Sequence, residues 1–182
     1  IRQFWGALEC RRCGAAPGMY RYPSGLAGLF AGNEMPPAGR RVPTLPEMTR
    51  TAVEILSRDA EGFFLMVEGS QPDWRSHDND SLAAVVAEVL DFDRAIGVGL
   101  EYQRRHPNVL IVVVSDHETG GLAIEVRGAG RAARVVARYT TTGHTGEMIP
   151  LFASGPGADR FGGIQENWQI GKHLRELMVR PR

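Results

Sequence analysis

The sequence carries no surplus of charge: Lys+Arg and Asp+Glu stand at 21 each in 182 residues. That balance removes the long-range field that draws a chain to nucleic acid or to an anionic membrane surface. Cysteine is scarce too, with two residues, Cys10 and Cys13, in one Cys-x-x-Cys. A structural zinc site needs a second pair of ligands at close spacing, and none follows. A redox motif needs a strand before it and a helix after it, whereas Arg11-Arg12 and Gly14-Ala15-Ala16-Pro17-Gly18 read as loop. The pair is therefore read as two thiols in a terminal segment without a function. No apolar run approaches the roughly 18 residues of a membrane-spanning helix. The start, Ile1-Arg2-Gln3-Phe4-Trp5, has neither the apolar centre nor the cleavage site of a signal peptide. It also lacks Met, which predicts a fragment or a mature product. Internal repeats and low-complexity tracts are missing as well, so one compact unit is the simplest expectation.

What is present is ordinary for a globular protein: 43% hydrophobic and 23% charged residues. The length suits one domain with a real core or a large piece of a bigger one. Residues 1–43 are rich in Gly, Pro and Arg and predict an irregular N-terminal segment with one short strand near 26–30. Residues 44–182 predict an α/β unit. Thr44 with Glu47 forms a capping-box signature, followed by apolar Met48, Ala52, Ile55 and Leu56 on one helix face. Phe63-Phe64-Leu65-Met66-Val67 is unbroken apolar, which predicts a strand buried on both sides. A helix over 81–105 and a second buried strand over 109–114 follow. Strands around 134–138 and 147–153 and a closing helix near 165–178 complete the pattern. Helix and buried strand in alternation predict a sheet covered by helices.

Both apolar runs end in polar clusters. The first leads into Glu68-Gly69-Ser70-Gln71-Pro72-Asp73-Trp74-Arg75-Ser76-His77, the second into Ser115-Asp116-His117-Glu118-Thr119-Gly120-Gly121. Ligands of open α/β sheets bind beyond the carboxyl ends of strands, so parallel strands would bring both clusters to one rim. A carboxylate at the end of a buried strand loses water and needs a cation or several donors in return. Lys is absent from these clusters and Arg75 is their one side-chain cation, whereas a divalent metal would compensate several carboxylates at once. Asp73 and His77 stand four apart, the spacing of two ligands on one helix face. Asp116 and His117 are adjacent, and a turn permitted by Gly120-Gly121 would converge them. Gly143-His144-Thr145-Gly146 places a third histidine in a glycine-flanked turn. Nitrogen with carboxylate oxygen favours zinc, while Glu68, all oxygen, suits magnesium better.

Together these segments resemble the bacterial alkaline phosphatases. The carriers are Gly62 through Gly69 continuing to Asp73 and His77, then Ser115-Asp116-His117, then Gly143-His144-Thr145-Gly146. Leu45-Pro46-Glu47-Met48-Thr49, Phe92-Asp93-Arg94-Ala95 and Phe161-Gly162-Gly163-Ile164 match as well, in the family's order, from about residue 26 to the end. The resemblance implies the C-terminal part of a three-layer α/β/α sandwich. It implies two Zn2+ ions and one Mg2+ ion: Asp73, His77 and His144 on the first zinc, Asp116 and His117 on the second, and Glu68 on magnesium. Trp74 stands where the family varies. It further implies hydrolysis of phosphate monoesters through a phosphoserine, a homodimer, and a periplasmic or extracellular location.

The family's nucleophile lies in an Asp-Ser-Ala type motif upstream, with further metal ligands and a phosphate-gripping arginine, and none of these is in the chain. Asp80-Ser81-Leu82 reads as a helix N-cap and not as that motif. The expectation is a chain that is inactive alone. His106 and His173 read as exposed, and Glu118 receives no ligand role. Two other readings stay open. One is a hydrolase of the wider superfamily of phosphodiesterases, sulfatases and phosphomutases, distinguished by its upstream nucleophile. The other is a non-catalytic metal-binding fragment, distinguished by the DNA upstream.

Overall fold

The computed structural model describes residues 4–6, 18–22, 25–32 and 34–178. Cys10 and Cys13 lie outside them. The chain divides into two compact units, residues 1–72 with 83–99, and residues 73–82 with 100–182. In order, its elements are β1 (Phe4–Gly6), β2 (Gly18–Tyr22), β3 (Gly25–Leu29), α1 (Leu45–Leu56), α2 (Gln71–His77) and α3 (Leu82–Arg105). After these come β4 (Ile111–Val114), β5 (Glu118–Thr119), β6 (Ala123–Arg127), β7 (Arg134–Arg138), β8 (His144–Thr145), β9 (Leu151–Ser154) and α4 (Asn167–Met178). Among the described residues no helix is long and apolar enough to cross a membrane.

In the first unit β3 lies between β1, to which it is parallel, and β2, to which it is antiparallel. The Gly- and Pro-rich composition predicts a single strand here. Three form because ladder bonds are made by backbone groups, which a weak side-chain propensity does not remove. Helix α1 starts where its sequence sets it: Glu47 N donates to Thr44 Oγ1 at 3.4 Å, and Thr44 N donates to Glu47 Oε2 at 2.7 Å. Its buried face is Leu45, Thr49, Ala52, Val53 and Leu56. The middle of α3 buries Val85, Ala95 and Val98 together with two carboxylates, Glu88 and Asp91. Buried carboxylates need a cation, and Arg41 supplies it. Its Nη2 meets Glu88 Oε2 and its Nη1 meets Asp91 Oδ2, both at 2.8 Å.

Residues 63–70 correct the expectation of a strand buried on both sides. They join no helix or ladder among the described residues, burial alternates along them, and Phe64 and Met66 are 47% and 77% exposed. Alternate side chains of an extended chain point to opposite faces, and here only one face is packed.

In the second unit β4 pairs antiparallel with β9, from Ile111↔Ser154 to Val114↔Leu151. β4 is the strand that the second apolar run predicts, yet Ile111, Val112 and Val113 are only half-buried, Val114 is exposed, and its partner is antiparallel. β6 and β7 form a hairpin, Ala123↔Arg138 to Arg127↔Arg134. Glu125 on it receives Arg127 Nε at 2.9 Å and Arg138 Nε at 3.1 Å. A 3-10 turn at Ala158–Phe161 leads to α4, with the buried Phe161 ring edge-on to His173 at 5.8 Å. The pair that matters most for function is the shortest, β5 with β8, in register Glu118↔Thr145 and Thr119↔His144.

Candidate metal centre

The centre lies within the second unit. One turn of α2 carries Asp73 and His77 on the same face, and His77 Nε2 stands 3.3 Å from Asp73 Oδ1. The β5–β8 pair sets His144 opposite Thr119, with His117 immediately before β5. Around these strands Gly120 N donates to Gly143 O at 2.9 Å, and Thr140 N donates to Gly120 O at 3.0 Å. Gly120 and Gly121 adopt φ of +88° and +56°, a left-handed region that glycine enters without a Cβ penalty.

His77 Nδ1 lies 2.5 Å from the carbonyl oxygen of Thr142. A carbonyl only accepts, so Nδ1 carries the hydrogen and the neutral ring keeps its lone pair on Nε2. That Nε2 faces His144 Nε2 at 3.0 Å, and His144 Nε2 is 3.6 Å from Asp73 Oδ1. Ligands about 2.0–2.1 Å from a tetrahedral zinc stand about 3.3 Å from one another. The three separations of 3.0, 3.3 and 3.6 Å bracket that value. Two imidazole nitrogens and a carboxylate oxygen also form the donor set that zinc prefers.

His117 and Asp116 form a second pair. His117 Nε2 is 3.3 Å from Asp116 Oδ2, so the adjacent residues converge at the bend after β4. Asp116 is exposed, and its backbone oxygen accepts from Asn167 Nδ2 at 3.3 Å. The His117 ring stacks on His144, with centroids 3.4 Å apart. Ligand atoms of Asp73, His117 and His144 all lie within 4.8 Å of one another, so the two sets adjoin. Glu68 is exposed and belongs to the first unit.

Arg75, the cation the sequence offered, turns away from Asp73. Its Nη1 meets Asp80 Oδ2 at 3.2 Å and its Nη2 reaches Asp78 at 3.9 Å. Histidines line Asp73 instead, which leaves room for a metal as its counter-charge. His106 is exposed, as its sequence context predicts, whereas His173 is half-buried against Phe161.

Sequence reasoning gave Glu118 no ligand role and passed over Thr119. Glu118 binds the loop rather than a ligand: Gly121 N and Leu122 N donate to it at 3.0 Å each, and the Thr145 hydroxyl donates as well. Burial pushes its carboxyl up, but the Thr145 hydroxyl, the two amides and the His117 charge outweigh that and hold it below the usual carboxylate value. Thr119, buried, has its hydroxyl between Asp73 and His117. The alternation of an extended chain, which puts residues 117 and 119 on one side, was the signal available for it.

The family model described as alkaline phosphatase matches residues 20–138. Alkaline phosphatase 3 of Bacillus subtilis is 29% identical over a match covering 83% of this chain and 48% of that protein. Streptomycin-6-phosphate phosphatase of Streptomyces griseus is 34% identical, covering 81% of this chain and 38% of that protein. Among solved structures, alkaline phosphatase from the Antarctic bacterium TAB5 superposes with a TM-score of 0.77 at 32% identity. The superposition covers 97% of this chain and 52% of that one, so the mixed helix and strand described above is part of that α/β fold. A variant of the TAB5 enzyme holds Mg in its M3 site. The chain spans about half the length, or less, of the relatives it matches.

Proposed function

This chain belongs to the alkaline phosphatase family, and on that premise we propose that it supplies most of the metal ligands of a zinc- and magnesium-dependent phosphomonoesterase. Asp73, His77 and His144 would hold one zinc, Asp116 and His117 the second, and Glu68 a magnesium ion. The observation that carries this reading is the meeting of His77 Nε2, His144 Nε2 and Asp73 Oδ1 at zinc-like separations.

A pair of zinc ions supplies Lewis-acid stabilisation to the attacking and leaving oxygens of a phosphoryl displacement. The chain's own residues prepare for it. Thr142 O fixes the His77 tautomer, so the ring presents a lone pair without reorganising. Glu118 ties the loop after β5 to Thr145, next to His144, and so holds both histidine-bearing segments together. The Ser115 hydroxyl donates to His117 O at 2.7 Å, a backbone acceptor that is no general base. The chain contains no Asp-Ser-Ala sequence. In this reading the complete protein forms a phosphoserine upstream and hydrolyses phosphate monoesters, as an exported homodimer, while the 182-residue chain binds metal without turnover.

Zinc titration calorimetry and a p-nitrophenyl phosphate assay on the purified chain test this. Zinc uptake that Asp73→Ala abolishes, with no hydrolysis above the buffer blank, is the expected result. Failure to bind zinc removes the metal reading, and ordinary turnover removes the claim that the nucleophile lies elsewhere.

A further inference from the structure

Helix α2 ends in a Schellman arrangement, with Asn79 N donating to Ser76 O at 3.0 Å and Asp80 N donating to Arg75 O at 2.9 Å. That closure takes a left-handed residue. Asn79 provides it at a φ of +49°, the one positive φ outside glycine among the described residues. Glycine would meet the backbone requirement without a Cβ penalty, and Asn79 is exposed, so core packing makes no demand on its side chain. The side chain has partners of its own. A carboxamide nitrogen carries two hydrogens, and a backbone carbonyl only accepts. The amide therefore turns its nitrogen to two carbonyls, Ser76 O at 3.1 Å and Thr141 O at 2.9 Å.

The second of these bonds crosses to the loop that leads into His144. Thr141 precedes Thr142, whose oxygen faces His77 Nδ1. The same loop sends a bond back, from the Tyr139 hydroxyl to Asp80 O at 2.9 Å. We propose that Asn79 is a positioning residue of the first ligand set, whose amide ties the end of α2 to this loop and so keeps His77 opposite His144; this rests on the metal-binding reading above. The bonds of Asn79 go to backbone and not to a ligand, so it acts by placing two segments. Without the amide, the 3.0 Å approach of the two Nε2 atoms loses one of its long-range ties. A site whose ligands must first be gathered binds more weakly than one already assembled.

The experiment compares the wild-type chain with Asn79→Gly, which suits the left-handed backbone and deletes only the amide, and Asn79→Ala, which deletes the amide and strains the turn. Competition with a zinc chelator reads affinity, the visible spectrum of bound Co2+ reads ligand geometry, and circular dichroism monitors folding. Asn79→Gly should keep its fold, bind zinc about 3–10-fold more weakly, the scale of one net hydrogen bond, and shift the Co2+ bands. Asn79→Ala should bind at least as weakly. A residue that served the backbone alone would lose nothing on replacement by glycine, so wild-type affinity and Co2+ bands in Asn79→Gly overturn the proposal and leave the metal reading intact. NMR of the metal-free wild type should show Overhauser contacts from the Asn79 side-chain amide to Thr141 and Thr142. Their absence overturns the proposal even if the variants fail to fold. A wild-type chain that takes up no zinc removes the metal reading itself, and the proposal with it.

Discussion

The Nε2 atoms of His77 and His144 face each other at 3.0 Å, with the hydrogen of His77 committed to Thr142 O on the far side of its ring. Two ring nitrogens at hydrogen-bond distance need either a proton or a cation between them. A ligand that binds only the folded state at 100 times its Kd adds about 2.7 kcal/mol of stability. Zinc should therefore raise the melting temperature of the chain, and chelator should reverse the rise. His77→Ala and His144→Ala should each lose the effect, with a fall in affinity beyond the roughly 10–100-fold of an outer partner. Thermal melts with and without zinc make the check, and a zinc shift that survives both variants would remove the pair from the site.

Arg41 joins two carboxylates that are themselves buried, Glu88 and Asp91, and also donates to Pro36 O at 3.0 Å. Removing it strands two negative charges on the inner face of α3. Breaking a buried pair by deleting one partner costs about 3–5 kcal/mol. Arg41→Met should destabilise the first unit by that amount in urea unfolding. A loss under about 1 kcal/mol would show the pair to be no better than a surface one.

Gly120 has a φ of +88°, and a Cβ there would come within 2.8 Å of the Tyr139 ring and 3.1 Å of Ser76 O. Ser76 lies in α2 between Asp73 and His77, so the clash bears directly on the ligand turn. Gly120→Ala should cost about 1–3 kcal/mol from the disfavoured backbone and weaken zinc binding as well. Unfolding and zinc titration of this one variant test both effects, and unchanged zinc affinity would separate the loop from the site.

Tyr139 donates its hydroxyl to Asp80 O at 2.9 Å. Burial first, and then the Asp80 charge, hold its phenol above the ordinary value of 10.0. The folded state thus keeps this proton more firmly than the unfolded one. Its contribution is fully present below the unfolded value and is lost as pH rises through the folded one. Stability should fall above about pH 10, and Tyr139→Phe should flatten that limb. A difference tyrosinate titration between wild type and Tyr139→Phe should place this phenol above the ordinary value, and a transition at or below it would contradict the assignment.

Much of this was legible along the chain. The reciprocal bonds of Thr44 and Glu47 start α1 where the spacing predicts, and the pattern over 81–105 becomes a helix from Leu82 to Arg105. The four-residue interval of Asp73 and His77 placed both on one turn of α2. Other features were not legible. The run from Phe63 to Val67 is apolar throughout, but apolarity does not say which face has a neighbour, and Met66 stays exposed. Arg41 meets Glu88 across 47 residues of sequence, beyond the range of any periodicity.

The sequence by itself determined the local elements, the caps and which residue types could ligate, because helix and strand preferences act within a turn or two of chain. Only the tertiary structure decided which lone pairs meet. His77 and His144 are 67 residues apart, and Thr119 and Asp73 are 46 apart. Their contact depends on the loop around Gly120 and the two-residue pairing of β5 with β8, long-range closures that no local preference encodes.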